Sequence, residues 1–127
     1  MLNWINPGRH QRRMQESLNL IFRNHPNLLE FLFEKDRALL RGEPEWLLDS
    51  AIEFSQGEQT LIRVALDLWS GTGGVKLWDI LERLDEGNSE CVLAGLRHLR
   101  RTEMGKEPMV WRQPKRAYSK SGVAPDS

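Results

Sequence analysis

Apolar residues recur every three or four positions along most of the first hundred residues, which is the spacing of amphipathic helices. The pattern is strongest between Ser55 and Trp69, where nearly every side of the segment is apolar. A helix of that kind belongs at the centre of a bundle. Ser55 and Glu58 at its start have the spacing of a capping box. Its apolar residues are Leu61, Ile62, Val64, Ala65, Leu66, Leu68 and Trp69.

Shorter segments with helical spacing lie on both sides of this one. They cover about 7–23, 27–41, 44–53, 77–84 and 86–101. Prolines, glycines and capping side chains separate them, such as Pro26, Gly42 and Asp85, and strand-like alternation is almost absent. The pattern predicts an all-α protein, a compact bundle of about six short helices around the central apolar one. We expect residues 1–101 to form a single domain and 102–127 to be an irregular, basic, proline-containing tail.

The same spacing predicts which apolar side chains face inward. In the central helix we expect Leu61, Ala65, Leu68 and Trp69 to be nearly fully buried. Across the glycine-rich turn at 71–74 we expect Trp69 and Trp78 to pack together. The other apolar residues expected on inward faces include Leu39, Leu40, Ile52, Leu77, Ile80, Leu81 and Leu84.

Charge is unevenly distributed although the formal net charge is zero. Residues 1–26 carry four arginines against Glu16, a net +3. Residues 27–96 carry fourteen acids against six bases, a net −8, and residues 97–120 carry eight bases against two acids, a net +6. Asp126 completes the balance. Blocks of this kind bear on partners and association rather than on the fold.

The basic C-terminal end is the feature with the clearest binding chemistry. Arg97, Arg100 and Arg101 share one face of the last predicted helix, and bases alternate with aromatic residues beyond it. That combination suits single-stranded nucleic acid, an acidic protein surface, or a solvated tail without a ligand. The candidate binding residues are Arg97, Arg100, Arg101, Lys106, Trp111, Arg112, Lys115 and Arg116.

Motifs that would carry catalysis, a metal or a cofactor do not emerge. The glycines at 71–74 follow a helix rather than a strand, so a phosphate-binding loop is not expected and a structural turn is. The three histidines lie on separate segments without ligand spacing. Cys91 is expected to be a core thiol, with no helix N-terminus or adjacent cation. No acid, base and nucleophile come together, so we predict no cofactor, no metal and no enzymatic activity.

Other features bear on where the protein acts. No run of eighteen apolar residues occurs, so we expect no membrane span. The segment after Met1 has no continuous apolar stretch of secretory length. A single cysteine excludes an internal disulfide and fits a reducing compartment. The expected location is the cytoplasm.

A resemblance covers roughly residues 44–101. The stretches 54–58, 68–71, 81–85 and 93–101 resemble small proteins of unknown function encoded by bacteriophages and integrated elements. The shared positions are caps, turns and core residues, although this chain has Ser70 where asparagine is usual. The resemblance implies an accessory protein of a phage or mobile element, and inhibition of host defence in the manner of an anti-CRISPR protein is one form of that role.

These observations together predict a protein that acts by binding another macromolecule. A protein partner is favoured, because the acidic middle of the chain would repel phosphates over most of the surface. The alternative is a nucleic-acid-binding protein that uses the basic end. The last predicted helix starts with Glu86 and Glu90, which argues against reading a DNA major groove with that end.

Overall fold

The computed structural model describes residues 1–104, with the side chains of residues 1–101. Within that range the chain is helical, with no strand beyond one isolated β-bridge between Phe33 and Leu40. The all-α prediction is therefore confirmed. The elements are α1 (Arg9–Ile21), α2 (Pro26–Leu32), α3 (Pro44–Ser50), a 3-10 turn (Ala51–Glu53), α4 (Gln56–Ser70), α5 (Leu77–Arg83) and α6 (Glu86–Met104).

Helix α4 is the central element, as its sequence predicts. It packs against α1, α2, α3 and α5, and Leu61 and Ala65 are completely buried. The capping box at its start is present: Glu58 N–H donates to Ser55 Oγ over 3.2 Å, and Ser55 N–H donates to Glu58 Oε1 over 3.0 Å. The helix ends at Ser70 and is followed by Gly71, whose φ of 72° is left-handed.

The end of α4 is less enclosed than predicted. Leu68 and Trp69 are only partly buried. Trp69 does not pack against Trp78, which is exposed, and instead makes edge-to-face contacts with Trp4 and Phe33 at centroid distances of 5.8 and 5.0 Å. Trp4, in the segment before α1, thus occupies the position beside Trp69 that the sequence pattern predicts for Trp78.

The second helix is much shorter than predicted. It ends at Leu32 rather than continuing to Gly42, and the chain turns back on itself: Glu34 N–H donates to Leu39 O, and Arg41 N–H donates to Leu32 O, both over 2.8 Å. Phe33 is extended and buried against Trp4 and Trp69. This aromatic contact comes from distant parts of the chain and overrides local helical spacing. Leu39 is consequently exposed.

Helices α1 and α6 form an antiparallel pair. Ser17 Oγ donates to the carbonyl of Gly95 over 2.9 Å, and Glu16 contacts His98 further along α6. Asn24, at the other end of α1, reaches Cys91. A Cβ at Gly95 would collide with Ile21 Cγ1 and lie 2.9 Å from the carbonyl oxygen of Ser17. The two backbones therefore approach this closely only because position 95 is glycine.

The N-terminus of α6 is capped by Asp85, as predicted: Asn88 N–H donates to Asp85 Oδ1 over 2.8 Å. The helix runs three residues beyond the predicted end at Arg101. The remainder of the predicted tail, residues 105–127, lies outside the described residues.

Truncation of a core leucine should separate the interior from the surface of this bundle. Leu61→Ala should lower the free energy of unfolding by about 2–5 kcal/mol, because a completely buried leucine is lost. Leu81→Ala removes the same atoms from a side chain that is 70% exposed and should cost less than about 0.5 kcal/mol. Urea titration followed by far-ultraviolet circular dichroism measures both. Equal losses would contradict the central position of α4.

Candidate functional site

The predicted basic residues of α6 are exposed at its C-terminal end. Arg97, Arg100 and Arg101 all face solvent, and their spacing places them within one side of the helix. The other residues of the predicted binding set, Lys106, Trp111, Arg112, Lys115 and Arg116, lie outside the described residues.

The antiparallel packing brings a second group of arginines to the same end of the helix pair. Because Glu16 lies beside His98 and Asn24 beside Cys91, the first turn of α1 lies level with the last turns of α6. Arg9 and Arg12 are exposed there, and Arg13 is 9% exposed, with Nη2 lying 3.0 Å from His10 Nδ1. We call this surface the arginine end. It consists of the exposed residues Arg9, Arg12, Arg97, Arg100 and Arg101, and Arg13 is buried beside them.

Acidic residues are few at the arginine end, although Glu103 follows Arg101 in the last turn of α6. None occurs in residues 6–15 or 91–101. Glu16 follows the α1 arginines, and its Oε1 lies 2.8 Å from Nε2 of His98. At the opposite end of the pair, Asp85 caps α6 and Glu86 and Glu90 lie in its first two turns, against the single base Arg23. The charge blocks of the sequence thus become a basic end and an acidic end of one helix pair.

Sequence reasoning assigned the basic site to the C-terminal segment and missed the arginines of α1. Two signals in the chain point to the pairing: both ends carry net positive charge, and Gly95 interrupts an otherwise good helical segment. A glycine inside a helix usually marks a close packing contact, which here is the contact with α1.

A second surface of distinct chemistry lies on α5. None of its residues is buried. Leu77, Trp78 and Leu81 are 81%, 64% and 70% exposed, and their spacing places them on one side of the helix. The expectation that Leu77 and Leu81 face inward is wrong, since Ile80 and Leu84 make the inward contacts instead. Ile52, on the 3-10 turn, is also exposed contrary to expectation.

The glycine-rich turn holds α5 in place through one carboxylate. Asp67 Oδ1 accepts from the backbone N–H groups of Gly73 and Gly74, over 2.7 and 3.0 Å, and its Oδ2 accepts from Val75 over 2.9 Å. Arg63 Nη1 donates to the carbonyl of Gly73 over 2.8 Å. The N–H groups that a phosphate loop would offer to a ligand are therefore occupied by Asp67, which confirms the interpretation of this segment as a structural turn.

Cys91 is buried, with 1% exposure, so its predicted place in the core is confirmed. The expectation that no cation adjoins it is wrong. Arg23 Nη2 lies 3.7 Å from the Cys91 sulfur and Asn24 Nδ2 lies 3.6 Å from it. Both groups come from the turn that follows α1, so this thiol contributes to the packing of that turn on α6.

A cleft of about 400 Å³ lies elsewhere, between the N-terminal residues and α2. Its walls mix apolar residues with two acids and two bases, and it contains no pairing of nucleophile and base. In residues 1–101 no group of three or more His, Cys, Asp or Glu side chains is placed to hold a metal ion. The cleft is lined by Met1, Leu2, Pro26, Leu29, Glu30, Phe33, Glu34, Lys35 and Arg41.

Comparisons with family models, with curated proteins and with solved structures found no match to this chain. Among the helices of residues 1–104, none combines the length and the apolar character needed to cross a bilayer.

The structural role of the turn can be tested at Gly73. A Cβ at this position would collide with the carbonyl oxygen of Arg63 and lie 2.9 Å from the backbone nitrogen of Asp67. Gly73→Ala should therefore lower the free energy of unfolding by about 2 kcal/mol or more. Gly8→Ala is the control, since the nearest atom to its added Cβ is Gln11 Oε1 at 3.8 Å. Thermal unfolding measures both. Equal melting temperatures for the two variants would contradict the described packing of the turn on α4.

Proposed function

We propose that this protein acts without catalysis, by binding a partner protein through the exposed apolar face of α5. The observation that carries the proposal is the exposure of Leu77, Trp78 and Leu81 side by side on one short helix. Grouped apolar side chains on a surface are typical of interaction sites. Tryptophan in particular is enriched among the residues that dominate binding energy.

The support beneath α5 favours binding by a preformed surface. Three N–H bonds to Asp67 fix the turn that leads into the helix. Lys76 N–H donates to Asp79 Oδ2 over 3.2 Å at the helix start. A surface that is ordered before binding loses less conformational entropy when the partner docks.

The charges around the face specify the complementary chemistry of the partner. Residues 76–86 carry four acids against two bases, a net −2. Asp79 and Arg83 form an ion pair, with 3.8 Å between Oδ1 and Nε. The net −2 is then the charge of Glu82, Asp85 and Glu86 against Lys76. The proposed partner therefore presents an apolar patch bordered by lysine or arginine.

The resemblance of residues 44–101 to small phage-encoded proteins extends the proposal to the setting. Helix α5 lies inside that stretch. On this basis we propose that the partner is a host protein, that the binding takes place in the cytoplasm, and that inhibition of a host defence system is its consequence.

The test is association with the partner by the full chain and by surface variants. Wild type should retain a protein from cells of the native host after nuclease treatment, and purified partner should bind directly in calorimetry. Trp78→Ala should weaken that binding about 30-fold, the equivalent of about 2 kcal/mol for a central interface tryptophan. Ile52→Ala is the matched control, because Ile52 is 79% exposed outside α5.

Three results would contradict the proposal. The first is a partner that binds Trp78→Ala and wild type equally. The second is an association that nuclease abolishes. The third is self-association of the purified chain that Trp78→Ala disrupts, which would make the α5 face an interface between copies. Sedimentation of the purified variant, alone and with partner, distinguishes the first result from the third, and nuclease treatment of the capture identifies the second.

A further inference from the structure

The arginine end is a second binding surface, separate in position and chemistry from the α5 face. It gathers five exposed arginines from two segments about ninety residues apart, and no residue in it belongs to α5. We infer that the arginine end binds the phosphate backbone of single-stranded nucleic acid. This goes beyond the protein partner proposed for α5 and does not depend on it.

The type of base at this end fits phosphate. Residues 6–15 and 91–101 contain arginines and no lysine. A guanidinium offers a planar fork of donors that engages two phosphate oxygens at once, which the compact charge of lysine does not. Arg97 and Arg101 are about 6 Å apart along the helix axis at 1.5 Å per residue, and the α1 arginines widen the surface sideways. The guanidinium groups of the arginine end can therefore contact several phosphates of one strand at the same time.

Glu16 and Glu103 are the acids at this end of the helix pair, and the five exposed arginines outnumber them. The last acid of the α6 N-terminal group, Glu90, is about 10 Å along the helix from Arg97. This exceeds the roughly 8 Å over which exposed charges interact at physiological ionic strength. The loop at 34–37, next to Ile5, carries two acids and two bases and so adds no net charge. A net charge of zero for the whole chain therefore does not prevent local attraction of phosphate.

A single strand fits better than a duplex or an acidic protein. Reading a major groove would use the N-terminal turn of a helix, and that turn of α6 carries Glu86 and Glu90. The sequence that follows Met104, at the basic end of α6, contains more bases together with Trp111 and Tyr118. Bases combined with aromatic rings match the phosphates and the unstacked bases of a single strand.

The experiment titrates the full chain into a fluorescein-labelled thymidine oligonucleotide of about 20 nucleotides, between about 50 and 200 mM salt. Wild type should bind with an affinity that falls steeply with salt. Arg12→Gln, on α1, should lower the slope of log affinity against log salt by about 0.7, the share of one phosphate contact. The double variant Arg97→Gln, Arg100→Gln should lower this slope by about twice as much as Arg12→Gln does. It should also weaken binding at least about tenfold at the lower salt.

Arg83→Gln is the matched control, since it removes one exposed arginine from the end of α5, beside the acidic start of α6. Its slope and affinity should equal those of wild type. Circular dichroism of each variant verifies that the helices are retained. All substituted positions in this series are exposed, so folding should be unaffected.

The inference is overturned by any of four results. The first is that wild type does not bind the oligonucleotide at the lower salt. The second is that Arg12→Gln leaves the salt slope unchanged, because residues beyond α6 would then act without α1. The third is that a duplex of the same length binds more tightly than the single strand, and the fourth is that polyglutamate of matched length displaces the oligonucleotide at an equal charge concentration, which would assign the surface to an acidic protein. Trp78→Ala, which should weaken partner binding by the α5 face, should leave all four oligonucleotide results unchanged. Failure of the proposed partner binding is therefore distinguishable from failure of nucleic-acid binding by the arginine end.

Discussion

The close approach of α6 to α1 at Gly95 is the constraint on which the functional surfaces depend. Because position 95 has no side chain, Ile21 and the backbone of Ser17 occupy the space beside it, and the Ser17 hydroxyl donates to the Gly95 carbonyl. This contact sets the register of an antiparallel pair. In that register the first turn of α1 lies level with the last turns of α6, so arginines from the two ends of the domain form one surface.

The α1–α6 pairing also explains how a chain of zero net charge separates a basic surface from an acidic one. The α1–α6 pair is basic where α6 ends and acidic where it begins. The acidic start of α6 follows directly on α5, whose apolar face has an acidic border. The Asp67 carboxylate accepts three N–H bonds from the turn that presents α5, while the α1–α6 contact fixes the arginine end. Apolar docking and phosphate binding thus have separate supports within one small bundle.

Local signals in the sequence predict the elements well but not the contacts between them. The capping box at Ser55 and the apolar sides of α4 are local, and both are present in the structure. The end of α2 is decided by Phe33 packing on Trp4 and Trp69, residues far away in the chain, so helical spacing extends that helix too far. The face of Arg97 and its neighbours follows from helical periodicity alone. The addition of Arg12 depends on the register of α1 against α6, which the contacts at Gly95, His98 and Cys91 specify and helical periodicity does not.

The most direct test of this account is a nuclear Overhauser measurement between the Ile21 side chain and Gly95 in the full-length protein. The packing in the structure requires strong cross-peaks from the Ile21 methyl protons to the Gly95 α-protons, since a Cβ at Gly95 would overlap Ile21 Cγ1 and lie 2.8 Å from Ile21 Cδ1. Cross-peaks from Ile21 to another part of α6, with none to Gly95, would shift the register, separate the arginines and contradict the account.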